Sequence, residues 1–93
     1  MIRSYRNATT AAVAAGKTVK GFPADLAKRA INKLTILEYA TSLEDLRSPP
    51  GNRLEALRGD RKGQHSIRLN DQFRICFRWV DGHAEDVEIT DYH

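Results

Sequence analysis

The fold is decided by the stretch FRICFRWV, residues 73–80, in which apolar side chains occupy every second position. This alternation is typical of a strand that buries one face. Asp81-Gly82 follows directly and favours a two-residue hairpin turn of type I′. His83–Thr90 then returns as a last strand. The carboxy-terminal part of the chain is therefore predicted to form an antiparallel hairpin.

Two shorter strands are predicted just before this hairpin. Gln64–Leu69 alternates in the same way, and Asn70-Asp71 supplies the turn that connects it to the next strand. Arg53–Leu57 is a further short strand candidate, which Gly59-Asp60 would end. Together these segments predict a meander of antiparallel strands.

The amino-terminal half has helical spacing instead. Apolar residues recur at steps of four, four and three, which places them on one buried helix face. Phe22-Pro23 opens this helix, and we expect it to end at Tyr39 or Ala40. A shorter helix is predicted over Ala11–Ala15, with a threonine as its cap. The periodic residues of the longer helix are Leu26, Ala30, Leu34 and Leu37.

A brief helical turn is predicted between the long helix and the strands. Ser42 can cap it, with Asp45 three residues further on, as in a capping box. The turn must end before Pro49-Pro50-Gly51, because proline removes a backbone donor.

Helices followed by a meander indicate an α+β domain, in which the helices pack on one face of a mainly antiparallel sheet. The apolar positions of residues 73–80 then face the helices. Arg74 and Arg78 are one residue out of phase, so we expect them on the uncovered face. Arg68 belongs there by the same parity. A face lined with guanidinium groups suits an anionic partner.

The length and the charge of the chain limit the number of domains and the kind of partner. The chain has 93 residues and a net charge of +3, so we expect a single domain over residues 1–93. Residues 53–78 hold seven basic and three acidic side chains, whereas residues 79–93 hold five acidic ones and no Lys or Arg. A polyanionic partner and an ordinary mixed-charge surface both fit this distribution.

The composition excludes several classes of protein. No apolar run reaches the length of a membrane span, and the start lacks a stretch of signal-peptide type, which predicts a cytoplasmic protein. The single cysteine, Cys76, cannot form an internal disulfide. Three scattered histidines do not have the spacing of a metal site, so no metal or other cofactor is expected.

Two segments carry a family resemblance: RLEALRGDRKGQHSI at residues 53–67 and NDQFRICF at residues 70–77. With the opening MIRSY and the ending Asp91-Tyr92-His93, they closely resemble the HigB toxins of the RelE/ParE superfamily. The resemblance spans nearly the whole chain and is weakest over Ala11–Lys20.

The resemblance implies a toxin with the RelE-like compact ribonuclease fold that cleaves mRNA in the ribosomal decoding site. It also implies neutralisation by a HigA-type antitoxin with a helix-turn-helix domain. Contact with operator DNA would then be indirect, through the antitoxin. The implied active site contains Asp91, Tyr92 and His93 together with Arg58 and Arg74. One departure stands out: Glu55 occupies a position at which a HigB toxin has histidine.

Each site residue has a chemical role and an ordinary alternative. Metal-independent RNA cleavage by attack of the 2′-hydroxyl needs proton carriers and positive charge around the phosphate. His93 titrates near neutral pH and fits the first need, while its alternative is a frayed terminus. Glu55 is either a second proton carrier or a surface ion-pair partner. Arg74 and Arg58 are the predicted phosphate contacts. Further candidates for contact with the RNA backbone are Arg61, Lys62, Arg68 and Arg78.

The remaining chemistry-bearing residues are expected to be structural. His65 shares a face with apolar residues and is predicted to lie at the edge of the core. His83 follows the hairpin turn and is predicted to be exposed. Cys76 is expected to pack as a small side chain. Tyr92 either stacks on a base or closes the core, and Asp91 either orients a catalytic group or caps a turn.

Two other functions within the same superfamily stay open at this point. The chain could inhibit a DNA topoisomerase without cutting nucleic acid, as ParE-like toxins do. It could also act only as a corepressor with its antitoxin. The terminal Asp91-Tyr92-His93 favours the ribonuclease, because a protein that only binds needs no titratable group at the chain end.

Overall fold

The structure is a computed structural model that describes residues 1–91. Short 3₁₀ turns separate the helical half of the chain from the strands, at Leu43–Arg47, Pro50–Asn52 and Gly59–Arg61. The helices and strands are α1 Ala8–Ala14, α2 Ala24–Tyr39, β1 Glu55–Ala56, β2 His65–Arg68, β3 Phe73–Val80 and β4 His83–Asp91.

The strands form one antiparallel sheet in the order β1-β2-β3-β4, which confirms the predicted meander. Asp81 and Gly82 both have positive φ, 50° and 79°, as a type I′ turn requires. The amino-terminal segment lies along the outer edge of β4, where Ile2 and Tyr5 make isolated parallel bridges to that strand. One edge of the sheet is thereby covered by the start of the chain.

The first strand is shorter than predicted, because Arg53 does not take a strand conformation. It ends the 3₁₀ turn Pro50–Asn52 in the left-handed region, at φ 46° and ψ 57°. The ladder with β2 therefore pairs only Glu55 and Ala56. The left-handed conformation of Arg53 also determines the direction of its carbonyl group. This carbonyl accepts a hydrogen bond in the candidate site described below.

The start of α1 corrects the predicted cap. Asn7, not a threonine, caps the helix, and its side-chain oxygen accepts a hydrogen bond of 2.9 Å from the backbone N–H of Thr10. Thr10 is fully buried instead, and its hydroxyl accepts a 3.1 Å hydrogen bond from the Ile89 backbone N–H. The threonine thus ties α1 to β4.

The long helix α2 has the bounds and the buried face that the spacing of its apolar residues predicts. It begins directly after Pro23 and ends at Tyr39, and all four periodic residues are buried against the sheet. Phe77 lies at the centre of this core, fully buried, with its ring 6.4 Å from the Trp79 ring in an edge-to-face arrangement. Apolar side chains of α2, β2, β3 and β4 thus share one buried core, and their burial stabilises the fold.

We expect Phe77→Ala to lower the free energy of unfolding by about 3–5 kcal/mol, because it leaves a cavity that the sheet cannot close. Urea unfolding followed by circular dichroism measures the loss. Tyr39→Ala is the matched control, since Tyr39 is 79% exposed, and it should change stability by less than about 0.5 kcal/mol. Equal losses for the two variants would contradict this description of the core.

The predicted capping box is present, although the turn it begins is a 3₁₀ helix. The Asp45 carboxylate accepts hydrogen bonds from the Thr41 backbone N–H and hydroxyl, each 2.9 Å long, and from the Ser42 N–H. These bonds hold the pKa of Asp45 below its usual value. Because the folded pKa lies below the unfolded one, the stabilisation is complete above the unfolded pKa and is lost as pH falls through the folded pKa.

The Asp45→Ala variant should therefore be less stable than wild type at pH 7. The difference in unfolding free energy should shrink as the pH is lowered below about 4. Thermal unfolding measured from pH 3 to pH 7 gives this dependence. Glu44→Ala is the neighbouring control, because the Glu44 carboxylate bonds only the Arg47 side chain in the described chain. A difference between wild type and Asp45→Ala that stays constant with pH would disprove the assignment.

No helix within residues 1–91 is long and apolar enough to cross a membrane.

Candidate active site

A polar row runs across the face of the sheet that the helices leave uncovered. Its members are cross-strand partners, and such partners project from the same face. Two of them, Ser66 and Cys76, are nevertheless fully buried. The middle of this face is therefore closed over by longer side chains. The row consists of Glu55, Ser66, Cys76 and Glu88, one residue from each strand.

Arg74 extends over the buried serine of this row. Its Nε donates a 2.7 Å hydrogen bond to Ser66 Oγ, and its Nη2 donates one of 2.7 Å to the Arg53 carbonyl. A guanidinium has five N–H donors, so these bonds leave three for a ligand. Both acceptors are neutral and therefore do not cancel the charge of Arg74. The predicted orientation of Arg74 toward the uncovered face is consistent with this geometry.

The Arg53 carbonyl is held in place by the turn that precedes it. Asn52 is fully buried, and its Nδ2 donates to the carbonyls of Leu46 and Ser48, each at 3.2 Å. Its Oδ1 accepts a hydrogen bond from the Lys33 ammonium. This turn is thereby anchored to α2, and the left-handed Arg53 follows directly. The backbone carbonyl of Arg53 thus supports the side chain of Arg74.

Three of the other predicted phosphate contacts are engaged in ion pairs. Arg61 also donates a 3.1 Å hydrogen bond to the buried Gln64 side chain. Nearby carboxylates therefore neutralise part of the charge of these arginines, and their contact with RNA stays a prediction. The pairs are Arg61–Glu88 at 3.0 Å, Arg78–Asp86 at 3.6 Å and Arg68–Asp71.

Arg58 and Lys62 are exposed in the loop that follows β1. A shallow cavity of about 370 Å³ lies at this strand, and both Glu55 and Arg58 line it. Arg74 reaches the amino-terminal side of β1 at Arg53, whereas Arg58 follows the strand's carboxy-terminal end. Glu55 and Arg58 therefore share one cavity, and Arg74 is not among the residues that line it.

Asp91 is the one residue of the terminal triplet that the structure describes. Its Oδ2 accepts a 3.0 Å hydrogen bond from Gln72 Nε2. The register pairs Asp91 with Phe73 and places Thr90 beside Arg74. The structure thus does not bring Asp91 onto the face of Arg74. Tyr92 and His93 lie outside the described residues, and their catalytic roles stay predictions.

The other candidate groups have structural positions. Burial raises the pKa of the Cys76 thiol, so the neutral form is favoured and a thiolate nucleophile is not. His65 is half-buried with its ring 6.3 Å from the Phe77 ring, which confirms its place at the core edge. His83 was predicted to be exposed, and this is wrong. It is half-buried because it pairs with Val80, and the adjoining turn packs against the Thr41 backbone.

Cavities on the helical side lack the chemistry of this face. One of about 330 Å³ between α1 and α2 is mostly apolar, and its charged lining residues are Lys17 and Lys28. Another of about 230 Å³ lies beside Tyr5 and Glu38. Within residues 1–91, no group of three or more His, Cys, Asp and Glu side chains is arranged to hold a metal ion. The predicted phosphate contacts lie instead on the sheet and in the loop between β1 and β2.

Similarity to known proteins shows the family of this chain. Residues 11–93 match the family described as the RelE-like toxin of the type II toxin–antitoxin system HigB. The chain belongs to this HigB-like toxin family. The resemblance stated from the residues is thereby confirmed, and it includes both Arg74 and the loop that carries Arg58.

Individual proteins are similar to two thirds of this chain or more. The chain is 50% identical over 62 residues to Toxin HigB-1 of Vibrio cholerae, a match that covers 67% of this chain and 65% of that protein. It is 29% identical over 93 residues to Endoribonuclease HigB of Proteus vulgaris, which covers both chains fully. An uncharacterized protein of Haemophilus influenzae is 32% identical over 72 residues, which cover 77% of this chain and 71% of that protein.

The fold is also found in solved structures. A chain of the YoeB–YefM complex from Staphylococcus aureus superposes with a TM-score of 0.58, covering 100% of this chain and 98% of that one. Identity is 15%, so the likeness concerns the fold alone. The predicted α+β class, with helices on one face of an antiparallel sheet, is confirmed.

The sequence patterns did not indicate the groups that support the arginines of this face. Ser66 has the same strand parity as Arg68, so its position on the uncovered face could have been found from the alternation. Glu88 is separated by 27 residues from Arg61, and no local pattern links them. The Arg53 carbonyl carries no signal in the sequence, because a backbone atom contributes the same group at every position.

Proposed function

We propose that this chain is the toxin of a type II toxin–antitoxin pair, and that it cleaves mRNA as an endoribonuclease in the ribosomal decoding site. The main support for this proposal is the hydrogen bonding of Arg74. Its guanidinium is fixed on the uncovered face by two neutral acceptors, so three N–H donors and a full positive charge remain for a phosphate. Family membership and the name of the Proteus vulgaris relative support the same activity.

Arg74 would bind the non-bridging oxygens of the phosphate that is cut. These oxygens gain negative charge as the phosphorus becomes five-coordinate, and a fixed guanidinium stabilises that charge without reorganising. Arg58 would contact the same or the neighbouring phosphate from across β1. Lys62, also exposed, would hold the RNA backbone in register. Arg61, Arg68 and Arg78 would contribute to the potential of this face from within their ion pairs.

The bond changes define the proton carriers that are needed. The ribose 2′-oxygen attacks the adjacent phosphorus and gives its proton to a base. The bond from phosphorus to the 5′-oxygen then breaks, and that oxygen receives a proton from an acid. The products are a 2′,3′-cyclic phosphate and a 5′-hydroxyl. Glu55 on β1 and His93 are the proposed proton carriers, while Tyr92 would orient the substrate or the acid–base groups. Asp91, which is out of phase with Arg74, would act only indirectly, by holding the end of β4 through its bond to Gln72.

The partners follow from this activity. Residues 1–93 would act as a single toxin domain in the cytoplasm, on mRNA within the ribosome. A HigA-type antitoxin with a helix-turn-helix domain would neutralise the toxin and bind operator DNA, so the toxin would meet DNA only through it. The net charge of +3 fits contact with ribosomal RNA.

Inducible expression followed by mapping of transcript 5′ ends tests the proposal. We expect new ends within translated regions, and their loss when translation is blocked before induction. Plasmid supercoiling should stay unchanged. Intact transcripts combined with inhibited supercoiling would overturn the proposal in favour of a topoisomerase inhibitor. Intact transcripts with normal growth, and repression of the operon, would overturn it in favour of a corepressor.

A further inference from the structure

We infer that the Ser66 hydroxyl and the main-chain carbonyl of Arg53 are positioning groups for the reaction, since they fix the plane of the Arg74 guanidinium. The inference rests on the proposed function and extends it to two residues that contact no substrate. Neither residue belongs to the set that the sequence indicated as catalytic or phosphate-binding.

The geometry of Arg74 supports this reading. A guanidinium is planar, so bonds at two of its nitrogens set the direction of every remaining N–H. Nε is bound to Ser66 Oγ and Nη2 to the Arg53 carbonyl, both at 2.7 Å. The three remaining N–H groups therefore keep one orientation before any ligand arrives. Such preorganisation is what a phosphate in its transition state requires.

The kind of acceptor distinguishes Arg74 from its neighbours. Arg61, Arg68 and Arg78 also serve this face or its rim, and each is held by a carboxylate. A carboxylate orients an arginine but cancels its charge. A hydroxyl and a carbonyl orient it and leave the charge intact. Arg74 thus has the support expected for an anion-binding group, whereas a merely structural arginine would be paired with an acid.

The Ser66 hydroxyl has one side-chain hydrogen-bond partner in the described part of the chain, Arg74. Ser66 is fully buried in the middle of β2, where a hydroxyl requires a hydrogen-bond partner. Its neighbour in the row, Cys76, is equally buried and does not bond Arg74. These two small side chains therefore form a natural pair of test and control.

Arg53 contributes through its backbone. Its left-handed conformation, at φ 46°, aims the carbonyl at Arg74, and its own side chain has no part in that bond. Glycine adopts this conformation freely, whereas a β-branched residue strongly disfavours it. The role of position 53 can therefore be separated from the charge of the arginine that occupies it.

The first experiment measures steady-state cleavage of ribosome-bound mRNA, which gives kcat and KM. We expect Ser66→Ala to lower kcat by roughly 10-fold with KM changed less than about twofold, because the guanidinium still binds phosphate but is misaligned. Ser66→Thr, which keeps the hydroxyl, should restore most of kcat. Cys76→Ala should cleave like wild type. An equal loss in Cys76→Ala would mean that any cavity in this row is damaging and would overturn the inference.

The second experiment separates backbone from side chain at position 53. Arg53→Gly should keep kcat within about threefold of wild type, whereas Arg53→Val should lower it as Ser66→Ala does. Equal loss in both variants would assign the effect to the arginine side chain and overturn the carbonyl's role. Circular dichroism checks that each variant is folded.

A spectroscopic readout tests the bonds without relying on cleavage. In the ¹⁵N-labelled toxin, the Nε–H signal of Arg74 should exchange slowly with water and should move and exchange faster in Ser66→Ala. If the signal changes while kcat does not, and Arg74→Ala still abolishes cleavage, the positioning role is wrong and the proposed function stands. If Arg74→Ala cleaves normally, the proposed function fails, whatever the signal shows.

Discussion

Replacing Arg74 with alanine should lower the rate of mRNA cleavage by roughly 10²–10³-fold, the loss typical of removing one preorganised donor to a developing negative charge. The fold should remain, since Arg74 is only half-buried and is not part of the hydrophobic core around Phe77. In cells, the variant should no longer arrest growth. Single-turnover cleavage on ribosomes and growth after induction measure the two effects.

Two controls sharpen this expectation. Arg74→Lys keeps a positive charge but cannot bond Ser66 and the Arg53 carbonyl while also binding phosphate through a planar fork, so most of the loss should remain. Arg47→Ala removes an exposed arginine that is paired with Glu44, and it should cleave like wild type. Full cleavage by Arg74→Ala would remove the basis of the proposed site.

Deleting Tyr92 and His93 should cause the other large effect, a loss of roughly 10²–10⁴-fold, which is the contribution of a positioned general acid or base. The single variant His93→Gln should account for most of it if the imidazole transfers the proton. Its remaining activity should also lose the pH dependence near neutrality that an imidazole confers. Cleavage rates measured between pH 5.5 and 8.5 for wild type and His93→Gln check this.

His83→Gln is the matched control for that experiment, because His83 lies at the opposite end of β4 and is half-buried beside the hairpin turn. It should keep both the rate and the pH profile of wild type. A truncated chain that retains full toxicity would disprove the role of the terminal residues. An unchanged pH profile in His93→Gln would transfer the proton-carrying role to another group, with Glu55 as the first alternative.

The sequence predicted those parts of the fold that follow from the spacing of apolar residues and from turn dipeptides. The alternation over residues 73–80, the Asp81-Gly82 turn and the spacing from Leu26 to Leu37 each specify an element and its buried face, and all three are present. The parity of these strands also predicted that Arg68 and Arg74 share one face, and the two are cross-strand partners. Burial of apolar side chains is a repeating signal, so a single sequence reveals it.

Groups that depend on the folded chain could not be predicted in this way. Arg61 meets Glu88 only because the sheet brings distant segments together, and this pairing decides how much charge the face presents. The left-handed turn at Arg53 arises from the buried contacts of Asn52, which no propensity of arginine would suggest. Only the structure shows that Arg74 is held by neutral acceptors. It also shows that the other arginines of this face, Arg61, Arg68 and Arg78, have acidic partners.

The central claim is that Arg74, on the uncovered face, acts on mRNA within the ribosome. The most direct test incubates a defined mRNA with wild-type toxin or Arg74→Ala, with and without purified ribosomes. Product ends are then identified chemically. We expect cleavage only with wild-type toxin and ribosomes together, leaving a 2′,3′-cyclic phosphate and a 5′-hydroxyl. Equal cleavage by the Arg74→Ala variant, or intact mRNA in every reaction, would contradict the account.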